Sequence, residues 1–225
     1  MGQSELLDIT RHRCPVALLV DMSCYISENT RSALFSGVKS FAARLSEDEG
    51  FDTLIEPAII TFGGNVEIRQ DFISSDCFSM SAFEAAGAPC LGRALDLGNT
   101  LIENRTKFYS RHNMDFYKPW LFLISSGMSD ETSSLQIAAI KSQEADLAGK
   151  LSYFIVGVPG ANMELLRDIA SPFNPPLKMK ENCFSDLFVW LISSMHRVHD
   201  VNAGAGYLAS PMICDWAASS EILKV

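Results

Sequence analysis

Short apolar runs alternate with amphipathic stretches along the chain, a pattern typical of a β-sheet that is covered by helices on both faces. A continuous run of β-branched and leucine residues over 16–20 predicts a buried central strand. Apolar residues recur at helical spacing over 29–45, which predicts the helix that follows this strand. The pattern therefore predicts the α/β fold class.

The predicted sheet is mixed, because one pair of strands is joined by a tight turn. The β-rich runs 54–62 and 66–72 are separated by Gly63-Gly64-Asn65, and a two-glycine turn favours an antiparallel hairpin. Two further buried strands are predicted over 120–124 and 151–158. The other helices are predicted from residue 91 through 101 and over 130–149, 162–170 and 184–195.

The end of the chain divides into a helix and a tail. Apolar residues of the last helix follow i, i+3, i+4, i+7, i+8 spacing from Phe184, which predicts one stripe on the sheet and leaves Trp190 outside it. Residues 201–225 are rich in Ala, Gly and Ser but carry many apolar groups, so we expect them to pack on their own domain or on a partner. The predicted organisation is an N-terminal extension, 1–13, one domain, 14–200, and this tail.

Composition narrows the classes of partner and compartment. The 225 residues have a formal net charge of −9, which would repel phosphate backbones and anionic membranes, so neither a nucleic acid nor a membrane is expected as partner. The N-terminal residues lack the apolar segment of a signal peptide, which predicts a cytoplasmic protein. Six scattered cysteines without a C-x-x-C pair predict reduced thiols rather than disulfides or a zinc site.

Oxygen-bearing side chains follow two of the predicted strands. Asp21 and Ser23 come directly after the first strand, and Ser125-Ser126 follow the strand over 120–124. The carboxyl ends of strands in an open α/β sheet line a crevice where ligands bind, so these loops should meet if the two strands are neighbours. Hard oxygen ligands of this kind suit Mg²⁺ or Ca²⁺. From the residues alone, Asp21 fits the role of a turn or helix-capping residue better than that of a ligand.

Residues 14–198 resemble the von Willebrand factor type A (VWA) domains, and among them the cytosolic bacterial members associated with tellurium resistance. The resemblance rests on six segments in order: PVALLVDMSCYI, AIITFGGNV, APCLGRALDLG, KPWLFLISSGMSDE, LSYFIVGVPGANMELLRDIA and FSDLFVWLISSM. It implies a Rossmann-like three-layer sandwich with a mostly parallel central sheet and one antiparallel edge hairpin. It also implies a metal-ion-dependent adhesion site (MIDAS) built from Asp, two Ser, a Thr and a second Asp.

This sequence departs from that ligand pattern at three positions. Asp21 and Ser23 are retained, but Tyr25 stands in place of the second Ser, Pro89 in place of the Thr, and Ser126 in place of the second Asp. One carboxylate and one or two hydroxyls are a poor ligand set for a divalent cation. We therefore expect a degenerate site with no metal ligands and no cofactor, where Mg²⁺ binds at most weakly at Asp21 and Ser23.

The function that the resemblance implies is a non-enzymatic protein-interaction module of a bacterial stress-response or defence system, beside a kinase, a phosphatase or an AAA+ ATPase. No catalytic residue is assigned. Tyr25 could be an interface aromatic or a partly buried loop residue. The alternative is a metal-assisted hydrolase that uses Asp21 with Asp130. The predicted partner-binding residues of the degenerate site are Asp21, Ser23, Tyr25, Pro89, Ser126 and Asp130.

Overall fold

The computed structural model describes residues 12–46, 53–72, 87–129, 132–181, 183–200 and 216–218. The strands in these ranges are β1 His12–Asp21, β2 Thr53–Gly63, β3 Asn65–Gln70, β4 Trp120–Ser125, β5 Ser152–Gly157 and β6 Leu177–Lys178. The helices are α1 Glu28–Ser46, α2 Leu91–Arg111, α3 Thr132–Leu147, α4 Met163–Ile169 and α5 Phe184–Asp200. Within these residues no helix is long and apolar enough to cross a membrane.

The strands form one mixed sheet in the order β3-β2-β1-β4-β5-β6. Among the six described strands, β2 and β3 alone pair in the antiparallel sense, through the predicted two-glycine turn, where Gly64 has a φ of 75°. The predicted α/β class and the antiparallel edge hairpin are confirmed. Strand β6 was not predicted, because its two residues are too few to show an alternating pattern.

The sheet is covered on both faces, which explains the continuous apolar run of β1. Alternate residues of this strand point to opposite faces. Val16 and Leu18 join the core beneath α1 and α5, and Ala17 and Leu19 join the core beneath α2, α3 and α4. All four are fully buried, as expected for a central parallel strand.

Trp190, which the sequence pattern leaves outside the apolar stripe of α5, is nevertheless buried. Its ring packs edge-on against Trp216, with 5.4 Å between the ring centroids. The Trp216 carbonyl accepts a hydrogen bond from the Lys180 amide at 2.9 Å, and the Ala218 amide donates to Lys178 at 2.8 Å. Residues 216–218 therefore pack on their own domain, beside β6, and the remainder of the predicted tail lies outside the described residues.

A buried charge cluster lies away from the strand carboxyl ends. Glu56 on β2 is almost fully buried and accepts hydrogen bonds from the guanidinium groups of Arg13 and Arg105 and from the Tyr109 hydroxyl. The Arg105 Nε to Glu56 Oε2 distance is 2.9 Å. This network ties β1, β2 and α2 together, so we assign it a structural role.

Candidate functional site

The carboxyl ends of β1 and β4 lie side by side in the centre of the sheet. Val20 of β1 pairs with Ile124 of β4 in parallel register, so Asp21 and Ser125 are the next residues on neighbouring strands. The prediction that these two loops meet is therefore confirmed. Parallel strands of this kind present their terminal residues at one edge of the sheet, where a crevice forms.

The Asp21 carboxylate is fully buried, with 0% of its surface exposed, and accepts four hydrogen bonds. Its Oδ1 accepts the Ser23 amide at 2.9 Å. Its Oδ2 accepts the Ser125 hydroxyl at 3.1 Å, the Ser126 amide at 2.9 Å and the Ser126 hydroxyl at 2.6 Å. A carboxylate has about four acceptor positions, so protein donors alone satisfy this one.

The loop after β1 is held in place by a residue that the sequence analysis missed. One guanidinium nitrogen of Arg31, the fourth residue of α1, donates to the carbonyl of Ser23 at 3.2 Å and to that of Ile26. The Ser23 hydroxyl is buried and, within the described residues, has no hydrogen-bond partner. Because the acceptors of Arg31 are backbone carbonyls, no side-chain motif in the sequence indicates this contact.

The structure brings some of the predicted site residues together and separates others. Ser126 contacts Asp21 directly, whereas Tyr25 points outward with 57% of its surface exposed. Pro89 is buried in a segment that adjoins the β1 loop, since the Cys24 amide donates to the Gly87 carbonyl at 3.0 Å. Asp130 lies outside the described residues.

A cleft of about 320 Å³ opens at the same edge of the sheet. It lies between the start of α1, the connection that follows β5 and the start of α5. The Ser27 hydroxyl at its rim is 2.8 Å from the Thr30 hydroxyl. The cleft is lined by Ser27, Asn29, Thr30, Ala33, Pro159, Glu181 and Phe184.

The described part of the chain holds no cluster of three or more His, Cys, Asp or Glu side chains that could ligate a metal ion. Around Asp21 the polar groups are three serines, and two of their hydroxyls are already donors to the carboxylate. The third, from Ser23, is the one hydroxyl of this set without a hydrogen-bond partner. Among the described residues, Asp21 thus brings the one carboxylate to this set of side chains.

No protein-family model and no characterised protein sequence matches the chain. Solved structures do match. Proximal thread matrix protein 1 from the mussel byssus, with a zinc-occupied MIDAS motif, is 16% identical, with a TM-score of 0.56 over 81% of this chain and 48% of that chain. The open conformation of the pilus adhesin SpaC from Lactobacillus rhamnosus GG is 12% identical, with a TM-score of 0.60 over 86% of this chain and 30% of that chain.

A von Willebrand factor type A structure from Catenulispora acidiphila is 14% identical, with a TM-score of 0.61 over 82% of this chain and 42% of that chain. The chain thus spans about half or less of the length of these three structures. At such identities the likeness establishes the fold. The mostly parallel six-stranded sheet, its antiparallel edge pair and the surrounding helices are those of the VWA fold.

Proposed function

We propose that this domain is a non-enzymatic protein-interaction module whose partner docks on the loops at the strand carboxyl ends without a divalent cation. The proposal rests on the hydrogen bonding of the Asp21 carboxylate. Both of its oxygens accept hydrogen bonds, from donors of Ser23, Ser125 and Ser126. The similarity of the fold to a pilus adhesin supports a role in binding another protein.

The described donor set does not fit a divalent cation. Mg²⁺ demands near-octahedral oxygen coordination and dehydrates reluctantly, and an ion here would compete with four hydrogen bonds for a single carboxylate. Two facing carboxylates repel each other and favour an ion between them, whereas a carboxylate and a serine hydroxyl attract. The Ser126 hydroxyl, 2.6 Å from Asp21, therefore stabilises this carboxylate by hydrogen bonding. In a site with two facing carboxylates, a bound cation would provide that stabilisation.

Tyr25 is the residue of the β1 loop best placed to contact a partner. It is among the exposed large apolar side chains of the described chain, and Tyr is enriched at protein interfaces because it combines a rigid apolar ring with a hydroxyl. The adjacent cleft extends this surface with the hydroxyls of Ser27 and Thr30. Binding here should rest on shape, apolar contact and hydrogen bonds.

The setting is a further part of the proposal and rests on the sequence resemblance alone. We propose a cytoplasmic, bacterial stress-response or defence system of the tellurium-resistance type, in which a kinase, a phosphatase or an AAA+ ATPase is the partner. The alternative, a hydrolase that uses Asp21 with Asp130, gains no support from the described geometry. A carboxylate that is fully buried and fully hydrogen-bonded is poorly suited to accept a proton from a substrate.

Quantitative affinity capture from a host lysate tests the proposal in three arms: the intact domain, Tyr25→Ala and Ile68→Ala. Ile68, 45% exposed on β3, is the matched control for loss of an exposed apolar side chain. In excess EDTA, we expect the intact domain and Ile68→Ala to capture the same protein from the lysate. Tyr25→Ala should fail to capture it. Loss of that protein on chelation, or its retention by Tyr25→Ala, would contradict the proposal.

A further inference from the structure

Helix α3 inverts the usual distribution of side-chain size between its two faces. Its buried residues are mostly small or polar, namely Leu135, Ala138, Ala139, Ser142 and Asp146. Three of its four larger aliphatic side chains point outward: Ile137 is 72% exposed, Ile140 51% and Leu147 53%. Leaving three large aliphatic side chains in water on one helix is unfavourable, because each exposes apolar surface that burial would remove from water.

The small inner face has a structural explanation within the domain. Asn99 of α2 donates to the Ser142 hydroxyl at 2.8 Å and to the Ala138 carbonyl at 3.3 Å, which brings the two helices close together. At the N-terminal end of α3, a Cβ added to Gly92 would lie 2.6 Å from the Leu135 amide nitrogen. The fold therefore accounts for the small inner residues of α3 but not for the large outer ones.

The outward residues follow a regular spacing along α3. Ile137, Ile140, Glu144 and Leu147 lie at i, i+3, i+7 and i+10, which is the a and d pattern of a helix seam. Glu144 is exposed and stands at an a position between apolar neighbours. In paired helices a polar residue at one a position selects the partner and fixes the register. We name these four residues the α3 seam.

The sides of the α3 seam carry polar contacts that hold α3 in place. On one side Lys141 lies 3.8 Å from Asp96 and 3.9 Å from Glu103, both on α2. On the other side the Gln143 side-chain amide donates to the Ala170 carbonyl at 2.9 Å. The seam is thus an apolar strip with polar margins, which is the arrangement of a docking surface.

We propose that the α3 seam docks an amphipathic helix of a partner protein that places a Lys or Arg opposite Glu144. An apolar stripe at a and d spacing matches the helix-in-groove mode of recognition. The lone acid in the seam requires a basic partner, because a carboxylate buried against an apolar side chain would lose its hydration without compensation. The net charge of −9 also favours the approach of a basic helix.

A second copy of this chain and a membrane are less suitable occupants. Parallel pairing of two α3 helices would oppose Glu144 to its own copy, and antiparallel pairing would oppose it to an aliphatic d residue. The seam is also one face of a single helix about 24 Å long, which offers less surface than the about 800 Å² that each partner of a stable homodimer buries. An anionic bilayer is repelled by the net charge of the chain.

A charge reversal tests the α3 seam with two synthetic probes. Each probe is a fluorescein-labelled amphipathic helix of about three heptads, identical except for Lys or Glu at its central a position. We expect the intact domain to bind the Lys probe about fivefold more tightly than the Glu probe, the scale of a partly desolvated charge pair. Glu144→Lys should reverse the preference, and Glu67→Lys, the same charge change on β3, should not.

An apolar control separates the seam from non-specific attraction to an acidic protein. Ile140→Glu should abolish binding of the Lys probe in fluorescence anisotropy, whereas Ile68→Glu on β3 should retain it, with far-ultraviolet circular dichroism unchanged in both. Failure of the domain to bind either probe would overturn the proposal, as would a preference that Glu144→Lys leaves unreversed. Two other results would also overturn the proposal. One is dimerisation of the intact domain that Ile140→Glu abolishes, and the other is binding to phosphatidylcholine vesicles that Ile140→Glu abolishes. Because neither readout involves Tyr25, the result is independent of the proposal for the crevice.

Discussion

The Ser126 hydroxyl donates a 2.6 Å hydrogen bond to the buried Asp21 carboxylate, and the Ser126 amide donates to the same oxygen at 2.9 Å. The two residues are 105 positions apart in the sequence and meet because β1 and β4 are parallel neighbours. The contact places a neutral donor beside the only carboxylate of the described crevice. The chemistry of the crevice therefore depends on this pair.

Ser126→Asp should turn this favourable pair into a repulsive one. In metal-free buffer at neutral pH we expect the free energy of unfolding to fall by about 3 kcal/mol, the scale of an uncompensated buried charge. Millimolar Mg²⁺ or Mn²⁺ should recover part of that loss in the variant and leave the intact domain unchanged. Urea denaturation with and without each ion measures both effects.

The matched control for this prediction is Ser126→Ala, which removes the hydroxyl without adding charge. It should cost about 1–3 kcal/mol, because Asp21 loses one charge-assisted hydrogen bond, and it should not respond to either ion. Isothermal titration of the intact domain provides the decisive opposing outcome. Sub-millimolar binding of a divalent cation that Asp21→Asn removes would show that the crevice does hold an ion.

Glu56→Gln should destabilise the domain by about 3–5 kcal/mol, because the nearly buried Arg13 and the half-buried Arg105 would lose their shared carboxylate. Glu103→Gln removes the exposed partner of Lys107 and should cost less than about 1 kcal/mol. Urea denaturation of both variants at one ionic strength provides the comparison. Similar losses for the two variants would contradict the structural role assigned to Glu56.

Trp216→Ala should lower the free energy of unfolding by about 3–5 kcal/mol, the usual cost of removing a large buried aromatic ring. Trp216→Phe should retain most of the packing against Trp190 and lose clearly less. Thermal unfolding followed by circular dichroism measures the difference. A loss below about 1 kcal/mol for Trp216→Ala would mean that the contact contributes little to stability.

Alkaline pH should destabilise the domain through Cys14. Burial, with a smaller effect of Glu56, raises the pKa of this thiol from about 9 to about 12. Between these values the folded thiol keeps a proton that the unfolded thiol has lost, so stability falls as pH rises, by at most about 1.4 kcal/mol per pH unit for this group. Burial also raises the pKa of Tyr109 and Tyr153, which adds a further loss above about pH 10.

The contribution of the thiol is isolated by comparing denaturation at pH 8 and pH 10 in Cys14→Ala and Cys24→Ala. These two pH values lie about one unit on either side of the unfolded thiol pKa. Cys24 is exposed, so its replacement should leave the pH dependence as it is in the intact domain. Cys14→Ala should flatten the pH dependence, although the deleted sulfur lowers stability at both values. An unchanged slope in Cys14→Ala would assign the alkaline loss to other groups.

The sequence by itself determined the fold class and the hairpin, because both depend on local signals. The apolar run over 16–20 indicates a strand buried on both faces, and Gly63-Gly64 indicates a tight antiparallel turn. Strand β6 gave no such signal, since a two-residue strand has no period to detect. The burial of Trp190 was also missed, because the side chain that covers it, Trp216, lies on a segment that returns to the sheet edge.

Only the tertiary structure decided how the polar groups are partnered. Strand ends can be located from the sequence, but three of the four donors to Asp21 belong to Ser125 and Ser126, about half the chain away, and strand order and register bring them there. The α3 seam was hidden for a related reason: the apolar residues of α3 are spread around the helix with almost no preferred face, so periodicity cannot say which face the domain covers. The face of α3 that is buried is the one that packs against α2. The exposed face can therefore be identified only from the tertiary structure.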